Sequence, residues 1–260
     1  MMDIGALKKK LTEGRPTVGG WMQIPSSDVA EIMGRAGYDW VAVDMEHGAF
    51  SNQILPDIFR ALELGGTLPM VRLGRVGKLE IKKALDSGAR GLIFPMVENG
   101  TQLARAISSS LYPPAGERGV GFSRANLFGK HFEDYRKNAD QLILVAQIEH
   151  INAVNALDDI LAVDGLDAII VGPYDLSGSM DLTAQFDHPR FIEALVTIRE
   201  ASKRHGVPMG LHIVEPDEET LRSKIADGYQ FVAYGTDAVF LNAGCGCPVF
   251  DLEKKTVVKP

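Results

Sequence analysis

The sequence predicts an α/β fold, a (β/α)8 barrel, on three observations. Short apolar runs alternate with longer helical patterns, the runs number eight, and no low-complexity linker divides the 260 residues. With 45% hydrophobic residues the chain has enough apolar side chain for a full core and is about the size of one such barrel. The expectation is a single domain over residues 1–260, a parallel TIM barrel, with a doubly wound open sheet as the alternative.

Taken in order, the opening MMDIGALKKKLTEG reads as a turn or two of amphipathic helix. It lacks the apolar core of a secretory signal, and no later segment reaches the roughly 18 uninterrupted apolar residues of a membrane span, so the expected location is cytoplasmic. The predicted strands are Thr17–Met22, Trp40–Asp44, 67–72, Gly91–Phe94, 142–149, Ala168–Val171, 208–211 and 231–234. Between them lie helices such as SSDVAEIMGRAG, capped by serine and closed by Gly37, and HPRFIEALVTIREASKRHG, closed by Gly206. The one long irregular connection, YPPAGERGVGFSRANLFGK at 112–130, is too rich in glycine and proline for a regular element and is expected to be a functional loop over the active face. Near the end, Cys245 and Cys247 are too close for an ordinary disulfide and lack a second pair at zinc spacing; the expectation is ordinary packing.

The formal charge of -7 is spread without a basic cluster, which argues against nucleic acid or an anionic membrane as partner. Small anions remain within reach of single arginines.

Chemistry is read from the strand ends, where a barrel places its reactive groups. The runs LILVAQIEH and DAIIVGPYDLS each finish in a carboxylate, Glu149 and Asp175. A desolvated acid at the end of an apolar run needs donors, a cation or a metal, and two in succession point to a metal. The alternative, that each acid caps the helix after it, accounts for one acid at a time and not for the pair. Two carboxylates completed by water and substrate oxygens make a hard, oxygen-rich site suited to Mg2+ or Mn2+, with Co2+ also admissible; zinc fits less well. Gln147, two residues before Glu149, projects to the same side of its strand. Arg72 offers a planar fork for a carboxylate or an enolate oxygen, or else an ion pair with one of these acids. VDMEHG supplies Asp44, Glu46 and His47; Asp44 is expected to fix the tautomer of His47, making it a proton carrier. His131, His188 and His205 read as exposed, and His150 and His212 as lying near strand ends without an evident partner.

Taken together, GWMQIPSSDVAEIMGRAGYDWVAVDMEHG, PMVRLG, LIFPMVEN, YPPAGERGVG, LVAQIEH and IIVGPYDLSGSM resemble the HpcH/HpaI aldolases, metal-dependent class II pyruvate aldolases. The resemblance covers nearly the whole chain, and the combination of EHG, QIE and VGPxDLS is specific. It implies the (β/α)8 barrel, a hexamer with the last helix exchanged between subunits, Glu149 and Asp175 as metal ligands, and Arg72 and Gln147 as pyruvate contacts. It further implies His47 with Asp44 as the proton-handling pair and the backbone of Gly172 and Tyr174 lining the pyruvate site. Three places depart from the family pattern: residues 122–128, Tyr174, and the tail around Cys245.

The implied reaction is reversible aldol cleavage of a 4-hydroxy-2-oxo acid to pyruvate, or a close 2-oxo acid, and an aldehyde, through a metal-stabilised enolate. No predicted strand ends in lysine, as a Schiff-base route would require. The alternatives are a CoA-ester lyase, for which no basic surface is evident, a 2-oxo acid decarboxylase, and a non-catalytic 2-oxo acid binder.

Overall fold

The structure, a computed structural model, describes residues 3–246. Eight parallel strands close on themselves: β1 (Thr17–Met22), β2 (Trp40–Asp44), β3 (Leu68–Arg72), β4 (Gly91–Phe94), β5 (Ile143–Ile148), β6 (Ala168–Val171), β7 (Met209–Ile213) and β8 (Phe231–Thr236), with β8 pairing back onto β1. Closure removes both sheet edges and rules out the open-sheet alternative.

Ahead of the barrel, α1 (Ile4–Thr12) is longer than the turn or two expected. Its Ile4, Leu7 and Leu11 join Trp40 and Phe231 in the apolar cluster inside the barrel. After the first four strands come α2 (Ser27–Arg35), α3 (Leu55–Gly65), α4 (Lys78–Ser87) and α5 (Gly100–Ser110). The short α6 (Phe132–Asn138) leads into β5, and α7 (Ile151–Asn155) and α8 (Leu157–Leu161) follow it. The chain continues through α9 (Pro173–Ser179) and α10 (Pro189–His205) after β6, α11 (Glu218–Ala226) after β7 and α12 (Asp237–Gly244) after β8. None of these helices is long and apolar enough to cross a membrane.

Strand side chains alternate between two apolar clusters, as a period of two requires. On β5, Leu144, Ala146 and Ile148 face the helical layer, while Ile143 and Val145 fill the barrel. The same parity sends Trp40 and Ala42 of β2, Leu68 and Met70 of β3, and Ala168 and Ile170 of β6 inward. Trp40 and Phe231 stack there, ring centroids 4.2 Å apart and 3° from parallel. The stack fixes one glycine: a Cβ on Gly19 would lie 2.1 Å from the Trp40 ring.

The 112–130 segment does not cover the active face, contrary to expectation. It follows α5 and runs into α6 ahead of β5, and therefore lies at the N-terminal ends of the strands. Arg118 is tied there to Asp86 of α4 (2.8 Å), and Arg124 pairs with Glu63 of α3 and donates to the Ser87 carbonyl (3.1 Å). Part of the segment is ordered as a 3-10 stretch at Arg124–Gly129, with Leu127 and Phe128 in the left-handed region at φ 50° and 54°. A cavity of about 280 Å³ lined by Arg60, Arg90 and Arg124 lies beneath it. Cys245 is exposed, against the packing expected of it, and Cys247 lies outside the described residues.

Candidate active site

The inward parity that fills the barrel with Val145 and Met70 carries polar side chains at the C-terminal strand ends. Asp44 and Arg72 are register partners across β2 and β3. Both are almost fully buried, and Arg72 donates Nε to Asp44 Oδ1 and Nη2 to Oδ2, each at 2.9 Å. Its Nη1 pairs with Glu46. The ion pair weighed against a ligand role for Arg72 is thus real, and the guanidinium still lines the cavity.

Asp44 is the most heavily bonded acid of the site. Besides Arg72 it accepts from Trp21 Nε1 (3.0 Å), Gln23 Nε2 (3.1 Å), and the backbone amides of Glu46 (3.0 Å) and His47 (3.1 Å). Burial opposes its ionisation, but the Arg72 hydrogen bonds and charge, with help from Trp21 and the His47 amide, hold its carboxyl well below the usual carboxylate range. Among the described residues, the His47 ring makes no hydrogen bond to Asp44, so the expected tautomer control is corrected. Asp44 fixes the turn through main-chain amides, with Gly48 N bonded to the Asp44 carbonyl (3.0 Å), and the His47 ring is exposed at the cavity.

Gln147 and Glu149 continue the inward face of β5, as expected. Glu149 is 2% exposed, and its Oε1 accepts from the Met96 amide at 2.7 Å. Burial pushes its carboxyl up to about 7; the Met96 hydrogen bond opposes this, the charges of Asp175 and Glu46 add to it, and Arg72 partly offsets them. Asp175 stands in the exposed first turn of α9. Gln147 is buried with its Oε1 unpartnered, at a cost of about 1–3 kcal/mol unless a ligand or water meets it.

Gly172 contributes space rather than a donor. Its N–H is committed to the Ile148 carbonyl (3.1 Å), while a Cβ there would lie 2.8 Å from Glu149 Oε2 and 3.2 Å from Gln147 Nε2. Tyr174 is 56% exposed and lines the cavity with its ring edge-on to Phe186 at 5.1 Å.

Several wall residues went unread in the sequence. Trp21 stacks on His212 at 4.8 Å and has the Arg72 guanidinium 5.7 Å from its ring. Asp237 ties the segment after β1 to the start of α12 by accepting from the amides of Gln23 (2.8 Å) and Ile24 (2.9 Å), and Thr236 lines the cavity beside it. His150 does have partners: Nδ1 accepts from Asn152 N at 3.1 Å and lies 3.8 Å from Glu98.

The residues fit a divalent cation. Asp175 is close enough for its charge to help raise the Glu149 carboxyl, and no cationic side chain hydrogen-bonds Glu149 or Asp175 among the described residues. No three His, Cys, Asp or Glu side chains cluster at metal-binding separation among those residues, so water and substrate oxygens would supply the other positions. The cavity measures about 340 Å³, room for a small acid and an aldehyde, and has no lysine in its lining.

A closed parallel barrel with such a cavity at its C-terminal strand ends is the architecture of a barrel enzyme. The HpcH/HpaI aldolase/citrate lyase profile matches residues 18–243. A hydroxypyruvate/pyruvate aldolase of Roseobacter denitrificans is 35% identical over 249 residues, 93% of this chain and 94% of that protein. A 4-hydroxy-2-oxo-heptane-1,7-dioate aldolase of Salmonella newport is 36% identical over 259 residues, 96% of each chain. The crystal structure of a family protein from Burkholderia cenocepacia superposes with a TM-score of 0.86 at 31% identity, covering 92% of this chain and 95% of that one. The chain belongs to the HpcH/HpaI aldolase/citrate lyase family and is a carbon–carbon lyase.

Proposed function

We propose that this chain catalyses reversible aldol cleavage of a 4-hydroxy-2-oxo acid to pyruvate, or a close 2-oxo acid, and an aldehyde. The observation that carries the reading is the Glu149–Asp175 carboxylate pair set beside the unpartnered Gln147 amide, the bare Cα of Gly172 and the Arg72 guanidinium. Glu149 and Asp175 would hold Mg2+ or Mn2+, with Co2+ admissible, and the cation would act as a Lewis acid on the carboxylate and keto oxygens of the 2-oxo acid.

The chain's own groups divide the remaining work. Arg72, immobilised by Asp44 and Glu46, presents positive charge to the enolate oxygen as cleavage develops it. Gln147 binds the 2-oxo acid through its amide, and Gly172 leaves room for it beside Glu149. His47, exposed on a turn that Asp44 anchors, takes the proton from the C4 hydroxyl directly or through water. The lysine-free lining supports this route over a Schiff base.

The proposal extends to one catalytic domain, acting in the cytoplasm as a hexamer with the last helix exchanged. Phe240 and Leu241 on α12, 37% and 58% exposed, support such an exchange by leaving apolar surface to cover. The activity is tested by cleavage of a 4-hydroxy-2-oxo acid after exhaustive chelation and again after adding back Mg2+ or Mn2+. Full activity after chelation, or a pyruvate adduct trapped by borohydride, would exclude this mechanism.

A further inference from the structure

The residues assigned to the 2-oxo acid and its cation lie on β2, β3 and β5 and just after β6. The rest of the cavity wall, from β7, β8 and the end of β1, offers His212, Thr236 and Gln23 together with Val214 and Val239. If the aldol reading holds, this is where the aldehyde half sits. The inference rests on that reading and asks which aldehydes the wall accepts.

His212 is fixed in both plane and tautomer. The inward parity of β7 points it into the barrel, opposite Ala233 in the β7/β8 register, and the Trp21 indole stacks on it 29° from parallel. Its Nε2 lies 3.4 Å from the Gly235 carbonyl and 3.4 Å from Thr236 Oγ1. A carbonyl only accepts, which puts the ring hydrogen on Nε2. Nδ1 is then a lone-pair acceptor with no protein partner among the described residues, on a side chain that lines the cavity. Burial pushes the imidazole down to about 4, with the Gly235 contact and the Asp44 charge opposing and the Arg72 charge reinforcing, so it brings no positive charge at neutral pH. Arg72 is the one cationic group in the lining besides the histidines, and Asp44 and Glu46 already engage it.

We propose that His212 is a specificity-determining residue whose Nδ1 accepts a hydrogen bond from a hydroxyl on the aldehyde half, so that this chain selects uncharged, hydroxylated aldehydes. A carboxylate-terminated aldehyde meets no free cation on this wall and faces the Nδ1 lone pair. A hydroxylated one meets an oriented acceptor, with Thr236 and Gln23 as further polar neighbours.

The test is aldol addition to pyruvate by the metal-loaded full chain, using glycolaldehyde, its near-isostere propionaldehyde, and 4-oxobutanoate as the carboxylated probe. His212→Leu is expected to lower the glycolaldehyde-to-propionaldehyde ratio of kcat/KM by about tenfold, one lost hydrogen bond to a partly exposed group. His212→Gln, whose amide oxygen also accepts, is expected to recover most of that ratio. Circular dichroism establishes that each variant is folded. An unchanged ratio in folded His212→Leu overturns the proposal, as does 4-oxobutanoate being the best acceptor of the parent. Loss of pyruvate proton exchange in the same variant also overturns it, by placing His212 on the 2-oxo acid half. Failure of the parent itself to exchange pyruvate protons overturns the aldolase reading, and this inference with it.

Discussion

Asp44 and Arg72 face each other across β2 and β3 as register partners, and the guanidinium meets the carboxylate with two parallel hydrogen bonds of 2.9 Å. Sheet register alone brings them together, at the level where the barrel interior changes from apolar to polar. Their interaction orients Arg72 without exhausting it, since the guanidinium still borders the cavity.

Asp44→Asn leaves the buried Arg72 with Glu46 as its remaining carboxylate partner. The expected cost is about 3 kcal/mol of stability, measured by urea unfolding of the metal-free protein. The carboxyl is held below its unfolded value, so the parent's share of this stability is present above about pH 4 and is lost as pH falls through the lower folded value. A variant of unchanged stability at neutral pH would show that the pair is energetically idle.

Glu149 works with the opposite sign. With its folded carboxyl raised to about 7, the metal-free folded state binds more protons than the unfolded chain between about pH 4.5 and 7, so its contribution to stability falls as pH rises through that window. Glu149→Gln removes the titration. The stability of this variant relative to the metal-free parent is therefore expected to increase from pH 5 to pH 8, read from thermal midpoints. A difference independent of pH would contradict the assigned shift. Because a cation requires the carboxylate, Mn2+ affinity of the parent is also expected to weaken below pH 7.

His47→Ala is expected to slow carbon–carbon cleavage by about 10² to 10⁴ while metal binding and affinity for oxalate, a pyruvate-enolate analogue, are largely kept. Oxalate affinity falling as far as the rate would make His47 a ligand rather than a proton carrier.

Asp175→Ala removes one of the two carboxylates proposed to hold the cation. Cleavage is expected to fall to the level of the chelated parent, with little loss of stability, because Asp175 is exposed and solvated. Substantial activity at saturating Mg2+ would remove Asp175 from the ligand set.

Much of this was legible because the strand period is short and strict. Six of the eight strands end within one residue of their predicted limits, and the parity that placed Gln147 beside Glu149 follows from period two alone. The two that ran on, β7 to Ile213 and β8 to Thr236, carry His212 and Thr236 of the cavity wall. Ending β7 at residue 211 left His212 outside the strand, although the alternation from Gly210 already turned it inward. The 112–130 loop was misplaced for another reason: composition reports irregularity but not which end of the barrel a connection serves, whereas its position after a helix and before a strand does. Trp21 and Gln23 were not read as partners of Asp44 because they meet it only once β1 pairs with β2.

In the proposed mechanism Glu149 and Asp175 hold a cation that makes pyruvate acidic at its methyl group. Proton–deuteron exchange of pyruvate in deuterated water, followed by NMR with chelated and Mn2+-loaded protein, tests it without any aldehyde. Rapid exchange is expected with the loaded parent, none above background after chelation, and none with loaded Glu149→Ala. Exchange that persists undiminished in the chelated parent or in Glu149→Ala would contradict it.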